Sequence, residues 1–160
     1  MSNSVEGIVT GLNIFPVKGL RGISLQNSEV TPLGLKWDRF WMVVNEDGLF
    51  MSQRNLPLMA TIETELNDNH LVLSHPQHGE TIIPLAYHLN DAEENAASAK
   101  VWKSECQVLD EGAAVSDWLT AVLGSHRGQR LRLVRQHPRF QREVSNNHTD
   151  GRQYYTHFAD

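Results

Sequence analysis

The feature of this sequence that most constrains its fold is a run of five apolar residues, FWMVV, at positions 40–44. An uninterrupted apolar run of this length is typical of a β-strand that is covered on both faces. The pair Asp47-Gly48 follows it, and an Asp-Gly pair between apolar segments is a strong β-hairpin signal. We therefore predict a sheet with residues 40–44 at its centre and residues 49–52 returning antiparallel to them.

Further short segments with the composition of strands follow along the chain. They lie at residues 59–66, 70–74, 81–85, 101–109 and 129–135, and turn residues separate most of them. Residues 90–99 are polar and rich in alanine without an apolar period, which predicts a surface loop or a frayed helix. Strands joined by short turns predict a mainly β fold, an antiparallel meander or β-barrel.

One helix is predicted, over about residues 110–124. Asp110 is a candidate N-cap, and Gly124 is placed to end the helix. Five apolar residues share the i, i+3, i+4, i+7 and i+8 spacing of one helix face: Val115, Trp118, Leu119, Val122 and Leu123. We expect this amphipathic helix to pack on the barrel.

The composition changes after residue 135. Residues 136–160 have few aliphatic side chains and no apolar period, which favours a linker or a flexible tail. The predicted organisation is therefore a β-barrel domain over residues 1–135 followed by a linker over residues 136–160.

Composition and charge exclude several classes of protein. A formal charge of −5 argues against a general nucleic-acid or anionic-membrane binder. The single cysteine, Cys106, permits no internal disulfide, which fits a reducing compartment. The N-terminal residues have no leader pattern, and no apolar stretch approaches the roughly 20 residues of a membrane span. We expect a soluble, cytoplasmic protein.

A basic turn at residues 16–22 is the first candidate binding site. Pro16 ends the preceding strand, and Lys18, Gly19 and Arg21 follow it. Glycine turns can point backbone N–H groups into one concavity, while lysine and arginine supply positive charge, so the pattern indicates an anion site. The alternative is an ordinary turn between strands with solvated cations.

Two arginines flank the predicted hairpin. Arg39 precedes the central strand and Arg54 follows the returning strand, so the hairpin register brings both to one end of the sheet, where they can meet Lys18. Three cations at one end of an acidic protein require an anion, because like charges repel. That anion is either an internal carboxylate such as Asp38 or the phosphate of a ligand.

Other reactive residues are less informative. His75 and His78 share a turn and are the nearest approach to a metal-ligand pair, although exposed turn histidines are the default. Cys106 lies within a predicted strand, where a cysteine is usually a small core residue rather than a nucleophile. The four tryptophans are expected in the core or at the barrel ends, with the alternative that one borders a ligand pocket. No complete catalytic set is recognisable.

Several spaced blocks resemble one known family. The blocks are FPVKGLRG at 15–22, GLKWDRFWMVVN at 34–45, GLFMSQRNLP at 48–57, and the predicted helix followed by RLV at 132–134. Together they resemble the N-terminal β-barrel domain that precedes the MOSC domain in amidoxime-reducing components, their bacterial relatives and molybdenum-cofactor sulfurases. The similarity covers about residues 5–135.

The resemblance implies a partial site for the molybdenum cofactor, a phosphate-bearing pterin that holds molybdenum. Lys18 and Arg39 match the family residues that contact its phosphate end, and Arg54 is implied as a pterin or phosphate neighbour. Gly19 stands where the family commonly has serine, so only a backbone N–H is expected there.

The cysteine that ligates the metal in amidoxime-reducing members belongs to the MOSC domain, whose start the last residues, 157–160, resemble. The resemblance therefore implies a half-site that grips the phosphate and pterin of an oxidoreductase or sulfur-transfer protein. Such a half-site is not catalytic alone, and whether the chain is an enzyme stays open. The alternative function is a non-catalytic module that docks on a separately encoded MOSC-domain protein. A weaker alternative, a pyridoxal phosphate site, has no better Schiff-base lysine than Lys18.

Overall fold

The computed structural model describes residues 7–87, 93–145 and 149–159. The fold is mainly β, as predicted. The strands are β1 Leu12–Ile14, β2 Val17–Lys18, β3 Ile23–Leu25, β4 Val30–Thr31, β5 Gly34–Leu35, β6 Trp41–Asn45, β7 Glu63–Leu66, β8 His70–His75, β9 Gly79–Pro84, β10 Ala96–Val101, β11 Ser104–Asp110, β12 Leu131–Gln136, β13 Arg142–Glu143 and β14 Tyr155–Thr156. An α-helix, α1, spans Ala113–Leu123, and a 3₁₀-helix spans Pro57–Thr61.

The central sheet has five strands in the order β10-β11-β12-β6-β2. Neighbouring strands are antiparallel except for β2 and β6, which are parallel. All five residues of β6 are buried, so the prediction of a strand covered on both faces is confirmed. Strands β7, β8 and β9 form a separate antiparallel meander.

The predicted hairpin after β6 connects β6 to β10, an edge strand of the central sheet. The ladders of regular strands do not close into a barrel by themselves, but residues 48–51 hydrogen-bond to β6 on one side and to β10 on the other. The bonds run from Asn45 N–H to Leu49 O (2.9 Å), Met51 N–H to Val43 O (2.8 Å), Phe50 N–H to Lys100 O (3.1 Å) and Lys100 N–H to Gly48 O (2.8 Å). This short irregular segment therefore spans the gap between the first strand of the sheet and β6.

Gly48 allows that close approach. Its φ of +74° lies in the left-handed region, and a Cβ atom built on it would lie 2.5 Å from the carbonyl oxygen of Ser98 in β10. Any side chain at this position would push the hairpin away from β10. The Asp-Gly pair thus serves the turn and also the contact across the sheet.

The central sheet separates two apolar cores because side chains alternate along its strands. Trp41 and Val43 of β6 pack with α1 and the meander. Met42 and Val44 face the other core, which contains Cys106 and other residues of β10, β11 and β12. Each side chain from Trp41 to Val44 therefore has an apolar neighbourhood, which explains the unbroken apolar run in the sequence.

Helix α1 is present where the apolar spacing predicts it, but it begins later than expected. Asp110 is the last residue of β11, and its Oδ1 accepts a hydrogen bond from the Gly112 N–H (2.8 Å), so Gly112 takes the N-cap position. Gly124 follows the last helical residue with a φ of +77°, as predicted from its place after the apolar stripe.

Two other sequence predictions are wrong. Residues 57–61 form a 3₁₀-helix that starts at Pro57, and a strand begins only at Glu63. Residues 96–99 belong to strand β10 rather than to a loop or a frayed helix, because each of them pairs with a residue of β11. Residues 90–92 of that predicted segment lie outside the described residues.

The described residues after 136 return to the body of the protein. Strand β13 pairs with β14, and Phe158 is fully buried in the core that contains Met42 and Cys106. An Arg142 Nη1–H group donates to the carbonyl of His157 (3.1 Å). The low number of aliphatic residues in this segment does not reveal that one aromatic side chain, Phe158, anchors it in a core. The division of the chain at residue 135 stays a prediction.

None of the described helices combines the length and the apolar character needed to cross a membrane.

Candidate functional site

A pocket of about 390 Å³ brings Lys18, Gly19, Arg39 and Arg54 together. Four of the five predicted site residues therefore share one cavity, at the end of the sheet where the hairpin register placed them. The described lining residues include no aspartate or glutamate. The pocket is open to solvent and carries three cationic side chains.

Backbone hydrogen bonds hold the basic turn against the start of β6. The Arg39 N–H donates to Phe15 O (2.8 Å), and the Trp41 N–H donates to Pro16 O (3.0 Å). Lys18 then pairs in parallel register with Met42. The turn is thus more than a link between β1 and β3, because its residues Val17 and Lys18 form β2. This pairing explains why two motifs far apart in the chain meet at one site.

Arg39 is held in an uncommon conformation. Its φ is +50°, in the left-handed region that non-glycine residues rarely adopt. Its Nη1 donates to Asp38 Oδ2, and its guanidinium lies 4.8 Å from the centre of the Phe15 ring. Asp38 Oδ1 also accepts from the Phe15 N–H (2.8 Å). The internal Asp38–Arg39 salt bridge, the alternative to a ligand phosphate, is therefore present, although Asp38 is not among the described lining residues.

The backbone conformation at Gly19 favours glycine. Its φ is +87°, and a Cβ atom on it would lie 2.9 Å from Met59 Cε. Its carbonyl accepts a hydrogen bond from Gln53 Nε2 (2.8 Å), which joins the basic turn to the segment that carries Arg54. A serine at this position would be strained by the positive φ, whereas the flexible end of Met59 could shift to make room.

Lys18 and Arg54 complete the cationic lining. Lys18 Nζ lies 5.7 Å from the centre of the Phe50 ring. Arg54 is exposed, and within the described ranges it forms no ion pair and no side-chain hydrogen bond. A pyridoxal phosphate site with Lys18 as its Schiff-base lysine stays a prediction.

The structure places Arg21 outside this pocket. Its Nη1 pairs with Glu63 Oε1 at 2.7 Å, and both side chains are exposed. Its carbonyl accepts from Thr64 Oγ1 (2.6 Å), so Arg21 fastens the turn to β7. The sequence pattern grouped Arg21 with Lys18 because they are near in the chain, but the turn directs them to different sides.

Trp102 also lines the pocket; the sequence left open that one of the four tryptophans borders a ligand pocket but did not indicate which one. It is 54% exposed and contacts Phe50 edge to face, with ring centres 4.8 Å apart. It occupies the first position of the two-residue loop between β10 and β11, with a φ of +54°. No local signal in the sequence identifies it, because the loop is recognisable only once β10 and β11 are seen to pair.

The remaining reactive residues give no second chemical centre. The rings of His75 and His78 are 5.2 Å apart, and the part of the chain that the structure describes contains no group of three or more potential metal-ligating side chains. Cys106 is buried, as predicted for a core residue. Burial raises the pKa of the Cys106 thiol, an effect that the nearby positive charge of Arg142 reduces.

Comparison with known proteins identifies a family whose matched range includes the residues of this pocket. Residues 6–126 match the family described as the MOSC N-terminal beta barrel domain. The chain belongs to this family. Lys18, Gly19, Arg39 and Arg54 all lie inside the matched range.

Two curated relatives are longer than this chain. Molybdenum cofactor sulfurase of Danio rerio is 35% identical over 138 residues, which cover 85% of this chain and 16% of the sulfurase. Mitochondrial amidoxime-reducing component 1 of Xenopus laevis is 34% identical over 129 residues, which cover 78% of this chain and 37% of that protein. The family context is thus that of molybdenum-cofactor sulfurases and amidoxime-reducing proteins, and the chain spans well under half of these relatives.

A solved structure supports the fold. The solution structure of a Bordetella bronchiseptica protein has a TM-score of 0.52 and 23% identity, and the match covers 71% of this chain and 91% of that one. At this identity the similarity concerns the fold alone.

Proposed function

We propose that the pocket of Lys18, Gly19, Arg39 and Arg54 binds the phosphate and pterin end of the molybdenum cofactor, as one half of a site that a MOSC-type domain completes. The observation that carries this proposal is the convergence of three cations in one open pocket without a described acidic lining residue. A cluster of positive charge of this kind favours a bound anion.

The residues of the pocket fit the two chemical parts of such a ligand. A phosphate suits Lys18, which supplies a compact charge, and Arg54, whose planar fork can donate two parallel hydrogen bonds. A planar pterin suits the aromatic side chains of Phe15, Phe50 and Trp102 beside the cations. The pocket volume of about 390 Å³ lies in the range of small-molecule sites.

Arg39 would contribute its charge while remaining paired with Asp38. Because Asp38 already partly neutralises Arg39, we expect Arg54 to contribute more of the affinity for phosphate than Arg39 does. Arg21 has no part in this proposal, since it pairs with Glu63.

In the complete site the cofactor supplies redox or sulfur-transfer chemistry at its metal. The chain described here would bind and orient the ligand: the cations hold the phosphate, and the rigid turn at Gly19 fixes the position of Lys18. Cys106 takes no part, because it is buried in a core.

The experiment is a titration of the purified chain with inorganic phosphate and with neopterin phosphate, followed by backbone amide shifts. We expect shifts that centre on Lys18, Gly19, Arg39 and Arg54. Lys18→Ala and Arg54→Ala should each weaken binding by roughly tenfold, which corresponds to the loss of a charge-assisted hydrogen bond.

Lys36→Ala provides the matched control, because it removes one positive charge from a lysine that pairs with Glu29 and does not line the pocket. If Lys18→Ala and Arg54→Ala reduce the affinity no more than this control does, the proposed site is wrong. Circular dichroism spectra establish that the three variants remain folded.

A second candidate function is a docking module for a separately encoded MOSC-domain protein. A mostly apolar cleft of about 420 Å³, bordered by Leu33, Trp37 and Tyr155, favours it. Mixing the chain with a separately expressed MOSC domain should then broaden or shift the amide signals around this cleft. Unchanged spectra at high micromolar concentrations of both proteins would refute docking.

A further inference from the structure

A second pocket adjoins the first and shares part of its wall. It has a volume of about 460 Å³, and the shared residues include Phe50, Arg54 and Trp102. Its own lining adds the cations Lys100 and Arg127. The two pockets therefore form one groove, with Arg54 and Trp102 at the junction of two basic compartments.

The charge of the second compartment is mainly positive. Asp47 is its acidic lining residue among those described, and its Oδ2 accepts a hydrogen bond from Gln129 Nε2 (2.6 Å). Lys100, Arg127 and Arg54 outnumber that carboxylate. A ligand that reaches into this compartment from the first would gain by carrying a second negative group.

Three residues along the groove have the left-handed backbone conformation without being glycine: Arg39 (φ +50°), Trp102 (φ +54°) and Arg127 (φ +53°). Arg127 and Gly128 form a two-residue loop between the bridged residues His126 and Gln129, with φ positive at both positions. This geometry favours Asn-Gly, and the loop of Trp102 favours glycine at its first position. Both loops thus carry a less favourable residue whose side chain lines the groove, and such outliers cluster at functional sites.

The side chains at these positions suggest the ligand class. Trp102 presents an exposed indole face or edge at the junction, and a nucleobase stacks readily on such a ring. Arg127 and Lys100 can hold phosphate oxygens beside it. Two linked phosphates could then span Arg54 and the second compartment, with the base on Trp102.

We propose that this groove binds a nucleoside diphosphate, with the base on Trp102 and the two phosphates between Arg54, Lys100 and Arg127. The inference extends the proposed phosphate site and rests on it through the shared residue Arg54. It adds Lys100 and Arg127, which the proposed phosphate and pterin site does not use.

The test compares the binding of ADP and inorganic phosphate to the full chain by isothermal titration calorimetry. We expect ADP to bind roughly tenfold more tightly than phosphate, because stacking and a second phosphate contribute. Arg127→Asn removes the cation and installs the residue that the loop favours, so the fold should be retained. Trp102→Gly removes the indole ring and installs the residue that the other loop favours at this position.

Each of these two variants should weaken ADP binding by roughly fivefold or more, and Arg127→Asn should change phosphate binding by less than about twofold. Trp102→Phe keeps an aromatic ring and should retain most of the ADP affinity. Lys103→Ala is the control, because it removes one positive charge next to Trp102 from a residue outside both described linings.

The outcomes separate this inference from the proposed function. If Arg127→Asn and Trp102→Gly affect ADP no more than Lys103→Ala does, the nucleotide compartment is wrong, whatever happens with phosphate. If ADP binds and both variants weaken it while Lys18→Ala changes neither ligand, the nucleotide compartment stands and the proposed phosphate grip falls.

Discussion

Replacing Phe158 with alanine tests whether the C-terminal residues belong to the folded domain. Phe158 is fully buried in the core that also contains Met42, Val44 and Cys106. Its removal forfeits the burial of a phenyl ring and leaves a cavity, which together cost about 3–5 kcal/mol in well-packed cores. Domains of this size have a free energy of unfolding of about 5–15 kcal/mol, so the loss is a large share.

The assay is urea denaturation followed by far-UV circular dichroism. With a denaturant dependence of about 2 kcal/mol per molar urea, the expected loss lowers the midpoint by roughly 2 M. Tyr154→Ala is the matched control, because it truncates an aromatic residue of the same segment that is 49% exposed, and it should cost less than about 1 kcal/mol.

The same substitution should also affect binding at the candidate site. The Phe158 N–H donates to the carbonyl of Arg39 (2.9 Å), so docking of Phe158 helps to hold Arg39 in its left-handed conformation. We expect Phe158→Ala to weaken phosphate binding as well as stability. If its urea midpoint equals that of Tyr154→Ala, residues 149–159 are not anchored in this core, and the reasoning is refuted.

Two further perturbations test the buried polar groups. Glu111→Gln should lower the free energy of unfolding in urea by about 3 kcal/mol or more, because it leaves the charge of Arg135, which is 2% exposed, without its carboxylate partner. Glu63→Gln, in an exposed pair, should lower it by under about 1 kcal/mol. Equal losses in the two variants would contradict this reasoning. Burial lowers the pKa of His157, an effect that Asp38 opposes, so the unfolded state binds the proton first as the pH falls below about 6.5. Stability should therefore decrease from that pH down to the lowered pKa of folded His157, and it should be independent of this group above about pH 6.5. His157→Gln should remove that part of the pH dependence. A pH profile of stability that is unchanged in the variant would exclude His157 as its source.

The parts of the fold that were predictable from sequence are those whose signal is local. The run at 40–44 identified β6 because burial on both faces leaves no polar position, and the spacing from Val115 to Leu123 identified α1. Most of strand β10 was not predicted because its residues are mainly small or polar and show no apolar alternation. It is a strand because it pairs with β11 and because Lys100 hydrogen-bonds to Gly48 and Phe50 of the hairpin. Pairing between distant segments leaves little trace in a local pattern.

The candidate site was partly predictable for the same reason. Lys18, Arg39 and Arg54 could be brought together from the hairpin register and the family blocks, and the pocket contains all three. Arg21 was grouped with them through chain proximity alone, and its pairing with Glu63 depends on β7. Trp102 lines the pocket from a loop that follows the unrecognised strand β10, so the same omission concealed it.

The structure around the left-handed residues of the groove explains why the fold tolerates side chains that this backbone conformation does not favour. Each one lies where the surrounding structure fixes the backbone. Arg39 donates its N–H to Phe15 and receives the N–H of Phe158 at its carbonyl, and Trp102 is held between the first pair of residues that join β10 to β11. Arg127 lies within a bridged loop. Because the sign of φ cannot be read from the identity of an arginine or a tryptophan, these positions become visible only when the cores and ladders that impose the conformation are known.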